Sequence, residues 1–225
     1  MIKSVFFDMN ETLLDLNLLQ SKFAEYFDNV NVMKYWFTQL LHSSIVIAAM
    51  NNYIEFGTLA LSVLESVASE YNVVLNEKDL KDILSTFKDL APHKDVKEAL
   101  RLLRANDIQV TAVSNSSLAM MKEQLTNANI INLFDSYYSV DSVKKYKPFA
   151  PIYHYVTMIE GLDNSEVFMV ATHDWDLYGA KNAGLNTAYV KRKNSIYNPN
   201  YLQSDIFEDN LVDTVKSIIN LNQTN

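Results

Sequence analysis

The first fifteen residues contain a short apolar run that ends on an acid. The run extends from Val5 to Phe7, Asp8 follows it, and a hydroxyl residue, Thr12, comes four positions later. Such a run is typical of a buried first strand that carries a carboxylate at its carboxyl end. In open parallel sheets, ligands bind at that end of the strands. The alternative interpretation is a helix that begins here, with Asp8 as an ordinary N-terminal cap.

The bulk composition restricts the class of protein. A chain of 225 residues, of which 48% are apolar, can bury one good core and leaves room for a modest second domain. The net charge of −8 argues against a nucleic-acid surface, and the longest basic cluster, Lys191 to Lys193, is too small to change this. The absence of cysteine excludes disulfides and thiolate chemistry, and the four histidines have no metal-ligand spacing.

Targeting and membrane signals are also missing from the sequence. Lys3 is followed by only three apolar residues before Asp8, which is not the pattern of a signal peptide. The apolar stretch from Ile45 to Met50 is far shorter than the roughly 20 residues that a spanning helix needs. We therefore expect a cytoplasmic protein, a monomer or a homodimer, that binds neither membrane nor nucleic acid.

Residues 17–90 show helical spacing almost throughout, with apolar residues three and four positions apart and no strand pattern of any length. Asn76 and Asp79 look like the N-terminal cap of the last helix in this region. The sequence therefore predicts an all-helical cap domain over residues 15–90. The remaining segments, 1–14 and 91–225, are expected to form the other domain.

After Pro92 the apolar pattern changes to an alternation of short strands and helices. This alternation predicts an α/β fold, a Rossmann-like parallel sheet with right-handed crossovers, and the cap is inserted after its first strand. Residues 194–210 have no clear period, and we interpret them as a loop. The predicted strands are Ile108–Val113, Tyr137–Val140, Val167–Ala171 and Thr187–Val190, and the predicted helices are Lys94–Asn106, Leu118–Asn127, Pro151–Glu160, Asp176–Ala183 and Leu211–Leu221.

Polar residues follow four of the predicted strands. Each group alone has an ordinary explanation: a turn for Ser114-Asn115, a solvated loop for Lys147, and a dipole-compensating helix acid for Asp176. Together and in this order, they predict an active site at the carboxyl edge of the sheet. The four groups are Asp8 with Asn10 and Thr12, Ser114 with Asn115, Lys147, and His173 with Asp176.

The segment from Asp8 to Thr12 resembles motif 1 of the haloacid dehalogenase superfamily, D-x-D-x-T, where the first Asp is a nucleophile and the second a general acid/base. Asn10 stands at the place of the second Asp. An amide has no carboxyl proton to give, so it cannot do the acid/base work of phosphomonoester cleavage. The resemblance therefore favours the type II (2-haloacid) dehalogenase branch, which also lacks an acid there.

Three further segments resemble that branch. Val113–Ser117 resembles its L-S-N-G-S, Lys147–Tyr153 resembles its K-P-D-P-x-x-Y, and Val170–Ala180 resembles its S-S-N-x-W-D-x-x-G-A. The resemblance implies that Asp8 is the nucleophile and that Thr12 supports it. It further implies that Ser114 and Asn115 bind the substrate carboxylate and the halide, that Lys147 keeps the nucleophile ionised, that Tyr153 shapes the pocket, and that Asp176 orients Lys147 or the hydrolytic water.

The chain departs from the branch in its cap and in its last motif. Well-studied members carry an Arg directly after a Trp on the first long cap helix, but here Trp36 is followed by Phe37 and the cap contains no Arg. His173 stands where the last motif has Asn, and it can act as a base or hold a water or the ester carbonyl. We expect Trp36, Phe37 and His173, together with Asn10, at the substrate pocket.

The resemblance implies a hydrolase that displaces halide from a small 2-haloacid. An Asp nucleophile would form an ester, and water would then cleave it. No cofactor and no metal are expected, because the missing acids at positions 10 and 172 leave too few oxygen ligands for tight magnesium binding. Two alternatives stay open: a phosphatase of the same superfamily, and a non-catalytic protein on this fold.

Overall fold

The computed structural model describes residues 1–223, and its centre is a parallel sheet of six strands in the order β3-β2-β1-β4-β5-β6. The first strand lies in the middle of the sheet, where Phe7 pairs with Ala112 on one side and Val170 on the other. The strands are β1 (Ser4–Phe7), β2 (Gln109–Ser114), β3 (Ser136–Ser139), β4 (Val167–Ala171), β5 (Asn186–Val190) and β6 (Ile206–Glu208).

Nine α-helices are found among the described residues, five between β1 and β2 and four after β2. The first four are α1 (Asn17–Phe27), α2 (Val32–Ala49), α3 (Phe56–Glu70) and α4 (Glu77–Ser85). The others are α5 (Val96–Arg104), α6 (Leu118–Asn127), α7 (Pro151–Glu160), α8 (Asp174–Asn182) and α9 (Leu211–Gln223). Short 3-10 turns cover Thr86–Asp89, Ile131–Leu133, Val140–Ser142 and Asn164–Glu166.

The central strands are apolar because helices cover the sheet on both faces. All four residues of β1 and all five of β4 are buried. In a sheet of this kind the ligand crevice forms where the strand order reverses, at the carboxyl ends. That point is β1, since β2 and β3 lie on one side of it and β4 to β6 on the other. The predicted α/β fold with a helical insertion after the first strand is confirmed.

The helices α1 to α4 share an aromatic core around Trp36. The Trp36 ring centroid lies 5.1 Å from that of Phe23 and 6.2 Å from that of Phe37. The predicted N-terminal capping residues of α4 form a reciprocal capping box, in which the Asn76 and Asp79 side chains each accept from the other's main-chain N–H. Among residues 1–223, no helix combines the length and apolar character that crossing a membrane requires.

The sequence predicts α6, α7 and β4 with the bounds that they have in the structure, but it does not predict β6. Ile206 pairs with Ala188 of β5 inside the segment that we interpreted as a loop. A three-residue edge strand with an exposed Phe207 has too few alternating positions to show a period. The Asp205 carboxylate holds it in place by accepting from the main-chain N–H of Thr187 at 2.9 Å.

Candidate active site

Asp8 lies directly after β1, where its main-chain N–H donates to the carbonyl of Val170 at 3.1 Å. The chain then turns, and the Thr12 hydroxyl donates to Oδ2 of Asp8 at 2.7 Å. The same hydroxyl accepts from the main-chain N–H of Thr172 at 3.0 Å. Thr12 therefore joins the Asp8 carboxylate to the end of β4.

Lys147 reaches the same point from the loop after β3. Its Nζ lies 2.8 Å from Oδ1 of Asp8 and 2.6 Å from Oδ2 of Asp176. The third donor of the ammonium goes to the carbonyl of Val113 at 3.0 Å. The side chain is 1% exposed, so all three donors are used inside the protein.

Asp176 lies in the first turn of α8, and Tyr153 of α7 packs against its carboxylate. The Tyr153 hydroxyl donates to Oδ1 of Asp176 at 2.5 Å. Gly179, one turn later, allows α8 to press against the Lys147 loop. A Cβ added to Gly179 would lie 2.2 Å from the carbonyl oxygen of Pro148, which no side chain tolerates. The close approach of α8 therefore fixes the distance between Asp176 and Lys147.

These three buried charges set one another's protonation. Burial alone would raise the pKa of the Asp8 carboxyl, but the Lys147 ammonium and a hydrogen bond with His173 outweigh it and hold this pKa below its usual range. Burial lowers the pKa of Lys147, yet the charges of Asp176 and Asp8 outweigh it and leave this pKa raised. Burial raises the pKa of Asp176, and the neighbouring Asp8 charge adds to this effect. At neutral pH, Asp8 is a carboxylate and Lys147 an ammonium.

Ser114 and Asn115 shape the loop after β2. Oγ of Ser114 accepts from the main-chain N–H of Ser116 at 3.1 Å, and Oδ1 of Asn115 accepts from the main-chain N–H of Lys147 at 3.0 Å. The Asn115 amide oxygen therefore links this loop to the loop that carries Lys147. Within the part of the chain that the structure describes, the NH₂ group of Asn115 has no partner and can donate to an anion.

The Asn10 side chain does not hydrogen-bond to Asp8 but belongs to a neighbouring polar cluster. Its Nδ2 donates to Oγ of Ser116 at 3.3 Å, and its Oδ1 accepts from Nε2 of Gln124 at 3.1 Å. Gln124 also donates to the carbonyl of Phe87 at the end of the helical insertion. The sequence analysis missed Ser116 and Gln124, because a buried Gln inside an amphipathic helix carries no pattern of its own.

His173 lies beside Asp8 and contacts a carboxylate through each ring nitrogen. Nδ1 is 3.1 Å from Oδ2 of Asp8, and Nε2 is 2.8 Å from Oε2 of Glu11. Glu11 also forms an ion pair with Lys193. Glu11 and Lys193 were not predicted as site residues, although Glu11 stands inside the segment that resembles motif 1.

A cavity of about 90 Å³ lies between the helical insertion and α6. Trp36 lines it as expected, whereas Phe37 does not. Phe37 points into the aromatic core and packs against Phe87, since consecutive helix residues face directions about 100° apart. Phe37 was expected at the substrate pocket, but it is not part of the wall of this cavity. The cavity is lined by Trp36, Leu40, Glu55, Phe56, Gly57, Ala60, Leu84, Phe87, Ser116, Ser117 and Met120.

The cavity and the charged centre are separate but adjacent. Ser116 lines the cavity and accepts a hydrogen bond from Asn10, two residues after Asp8. The cavity wall is mostly apolar, and its one ionisable side chain is the acid Glu55. An anionic group is therefore better accommodated near Asn115 and Lys147 than inside this cavity.

Magnesium, on which phosphatases of the superfamily depend, does not fit this donor set. All four carboxylate oxygens of Asp8 and Asp176 already accept from protein donors, and Nζ of Lys147 lies between the two acids. A divalent cation there would sit against an ammonium. Among the described residues, no group of three or more His, Asp or Glu side chains is arranged to hold a metal ion.

Comparison with known proteins places the chain among hydrolases. Residues 5–190 match the family described as haloacid dehalogenase-like hydrolase. The (S)-2-haloacid dehalogenase of Pseudomonas sp. strain YL is 25% identical over 198 residues, which cover 87% of this chain and 85% of that protein. The (S)-2-haloacid dehalogenase 4A of Burkholderia cepacia is 29% identical over 198 residues, which cover 85% and 84% of the two chains.

The folds agree as well. The structure of L-2-haloacid dehalogenase from Xanthobacter autotrophicus with covalently bound chloropropionic acid superposes with a TM-score of 0.91. The two chains share 22% identity, and the match covers 97% of this chain and 98% of the other. Family match, fold and a buried acid at the end of β1 agree, and the chain belongs to the haloacid dehalogenase-like hydrolases.

Proposed function

We propose that this protein is a 2-haloacid dehalogenase that works through an ester on Asp8. The observation that carries the proposal is the Lys147 ammonium, 2.8 Å from Oδ1 of Asp8 in a buried site. It keeps the carboxylate ionised where few waters can solvate it, which is what a carboxylate nucleophile needs. The relatives named above support the same reaction class.

The reaction has two steps, both on Asp8. An oxygen of the Asp8 carboxylate attacks the carbon that bears the halogen, the carbon–halogen bond breaks, and the halide leaves with the bonding electrons. Water then adds to the Asp8 carbonyl carbon, and the 2-hydroxyacid leaves. In this scheme Lys147 and Thr12 hold the carboxylate for attack, and Asp176 and Tyr153 hold Lys147.

The substrate is proposed to be a small monocarboxylate with a short apolar chain. The Asn115 NH₂ group and the main-chain N–H groups at the start of α6 supply donors for its carboxylate. The cavity beside Ser116 is apolar and takes the chain, while Glu55 on its wall disfavours a second carboxylate. Chloroacids and bromoacids of two to four carbons fit this description better than halogenated dicarboxylic acids.

The domain limits belong to this proposal. Residues 15–90 hold helices α1 to α4 and are proposed to act as the cap, and residues 1–14 with 91–225 as the catalytic core. The cap contributes apolar wall rather than a cation, since no Lys or Arg of the cap lines the cavity. A cytoplasmic location and a monomeric or homodimeric state stay predictions from the sequence.

One experiment tests the nucleophile directly. A single turnover of 2-chloropropionate in ¹⁸O-labelled water should place the label first in the Asp8 carboxylate, as seen by mass spectrometry of the peptide that contains it. Asp8→Asn is the matched control and should release no halide. Label that appears only in the product would contradict the ester, and the absence of halide release from any 2-haloacid would contradict the dehalogenase.

A further inference from the structure

His173 is the one imidazole in the described chain that contacts Asp8. Its side chain is 12% exposed, so the ring borders the site rather than lying sealed within it. Trp175 stacks on the ring with centroids 5.2 Å apart and planes 29° apart, which restricts ring rotation. One ring nitrogen, Nδ1, is thus held at a fixed position beside the Asp8 carboxyl group.

Glu11 determines how that ring is held. It adopts a left-handed backbone conformation, with φ of 63°, that is uncommon for a residue with a side chain. The conformation directs the Glu11 carboxylate to Nε2 of His173 at 2.8 Å, and Lys193 pairs with the other carboxylate oxygen. A carboxylate only accepts hydrogen bonds, so Glu11 requires a proton on Nε2.

Asp176 is poorly placed to take a proton from water. Its side chain has no exposure, and its two oxygens accept from Nζ of Lys147 and from the Tyr153 hydroxyl. A water that attacks the Asp8 carbonyl carbon would have to displace one of these donors to reach Asp176. Nδ1 of His173, by contrast, already lies 3.1 Å from Oδ2 of Asp8.

We propose that Glu11 is a positioning residue that holds His173 as the base for hydrolysis of the Asp8 ester. This inference rests on the proposed function for its substrate. Of the two roles that the family resemblance implies for Asp176, this proposal keeps the orientation of Lys147 and assigns the hydrolytic water to His173.

The contacts of His173 with Asp8 and Glu11 allow its Nδ1 to become a free base only after the Asp8 ester has formed. Before the reaction, only the imidazolium can donate to both Asp8 and Glu11. When Asp8 becomes an ester, it loses its negative charge and the Nδ1 proton loses its ionic partner, so this proton passes to solvent. The neutral ring keeps its Nε2 proton on Glu11 and exposes a lone pair on Nδ1.

Protons and bonds balance through the second step. Water adds to the Asp8 carbonyl carbon, one of its O–H bonds breaks, and the proton goes to Nδ1. The bond from that carbon to the ester oxygen then breaks, and the departing 2-hydroxyacid oxygen takes the proton from Nδ1. The Asp8 carboxyl group returns its own proton to Nδ1, so each turnover yields hydroxyacid, halide and one proton released to solvent.

The kinetic test separates ester formation from ester cleavage. With 2-chloropropionate, Glu11→Gln and His173→Ala should keep the first-turnover burst of halide while later turnovers slow and ester accumulates on Asp8. Loss of a positioned base costs about 10² to 10⁴-fold in rate, so His173→Ala should slow ester cleavage by that range. Glu11→Gln should slow it by about tenfold, less than the loss of the base itself, because the ring is still present.

Chemical rescue distinguishes a base from a merely structural residue. Added imidazole should accelerate ester cleavage in His173→Ala and leave Glu11→Gln, which retains its ring, unchanged. If halide burst and later turnovers fall by the same factor in both variants, or if no ester accumulates, the proposed role of the pair is overturned.

A second measurement does not depend on any substrate. Asp8→Asn removes the same charge as esterification, and ¹⁵N NMR of its His173 ring should show one tautomer with the proton on Nε2. Adding Glu11→Gln to this variant should remove that preference. His93 is the internal control, because it contacts the main-chain oxygen of Glu11 and should not change.

Few charged groups face the His173 ring, so a change in its tautomer can be assigned to one of them. Asp8 and Glu11 contact it directly, and Lys147 and Lys193 each pair with one of those acids. Asp174, the next residue, is turned to the main-chain N–H of Asn198. An unchanged tautomer in the double variant would overturn the role of Glu11. If the wild-type protein releases no halide, the dehalogenase proposal fails while this measurement still tests the pair.

Discussion

Nζ of Lys147 lies 2.8 Å from Oδ1 of Asp8, and both side chains are shielded from solvent. Asp176 contacts the same ammonium at 2.6 Å, so one cation serves two buried acids. Removing one partner of a buried ion pair leaves uncompensated charge, which costs far more than the loss of a surface pair. The arrangement therefore serves the chemistry proposed for Asp8, and the stability of the site also depends on it.

Lys147→Met should abolish halide release and lower the free energy of unfolding by about 3–5 kcal/mol, since two carboxylates would then share a buried site without a cation. Urea unfolding and halide assays measure the two effects. The matched control is the double variant Lys147→Met with Asp176→Asn, which restores the wild-type net charge of the cluster. It should recover much of the stability but no activity. Full activity in either variant would show that Lys147 does not keep Asp8 competent.

The rate of the halide burst should be nearly independent of pH across the neutral range. The pKa of Asp8 is lowered, so acidification protonates the nucleophile only below the usual range of an aspartate. The pKa of Lys147 is raised, so alkali removes its proton only above the usual range of a lysine. Stopped-flow measurement of halide release at constant ionic strength gives the profile. A decline of the burst between pH 5 and 8 would require another titrating group in the first step.

Asn10→Asp should not convert the protein into a phosphatase. The Asn10 amide bridges Ser116 and Gln124, and the carboxylate oxygens of Asp8 and Asp176 stay paired with their donors. A new acid at position 10 therefore adds one ligand without a free site for magnesium. Hydrolysis of p-nitrophenyl phosphate with and without magnesium, and halide release with and without EDTA, measure this. Magnesium-dependent phosphate release from the variant would contradict the interpretation.

Filling the cavity should change substrate preference. Ala60 lines the cavity, while its carbonyl accepts from Nε1 of Trp36 through the main chain, so Ala60→Leu adds bulk without removing that bond. We expect the KM for 2-chlorobutanoate to rise about tenfold, equivalent to about 1.4 kcal/mol of lost binding, with chloroacetate little affected. The two substrates serve as mutual controls in one protein. An equal change for both would place the substrate chain elsewhere.

Arg192 supports the turn that carries Thr12. Its Nε donates to the Thr12 carbonyl at 3.0 Å, and its NH1 pairs with Asp95 at 2.7 Å. Arg192→Met should destabilise the protein by about 3 kcal/mol, because Asp95 would lose its cation in a mostly buried place. Adding Asp95→Asn to this variant should restore part of the lost free energy of unfolding, as measured by urea unfolding. Unchanged stability in the single variant would show that the pair contributes no more than an exposed one.

The sequence alone determined the class of fold and, to within two residues, the bounds of the strands and helices that it predicts after Pro92. Apolar residues at helical spacing and short runs ending in polar residues depend only on neighbours along the chain, and they are sufficient for α6, α7 and β4. The order of polar groups after successive strands also predicted that Asp8, Lys147 and Asp176 would meet, because parallel strands bring their carboxyl ends to one edge. The sequence did not predict β6, because this segment is a strand through its pairing with β5 and has no alternating apolar pattern of its own.

Only the tertiary structure decided which side chains face one another across the site. Whether Trp36 or Phe37 lines the cavity depends on how α2 is rotated against its neighbours, and the local pattern is apolar at both positions. Glu11 and His173 are 162 residues apart in sequence, and neither has a spacing that relates it to the other. Their contact requires the left-handed turn after Asp8 and the register of β4 beside β1. Pairing of this kind is a property of the assembled sheet, since the residues that create it are distant along the chain.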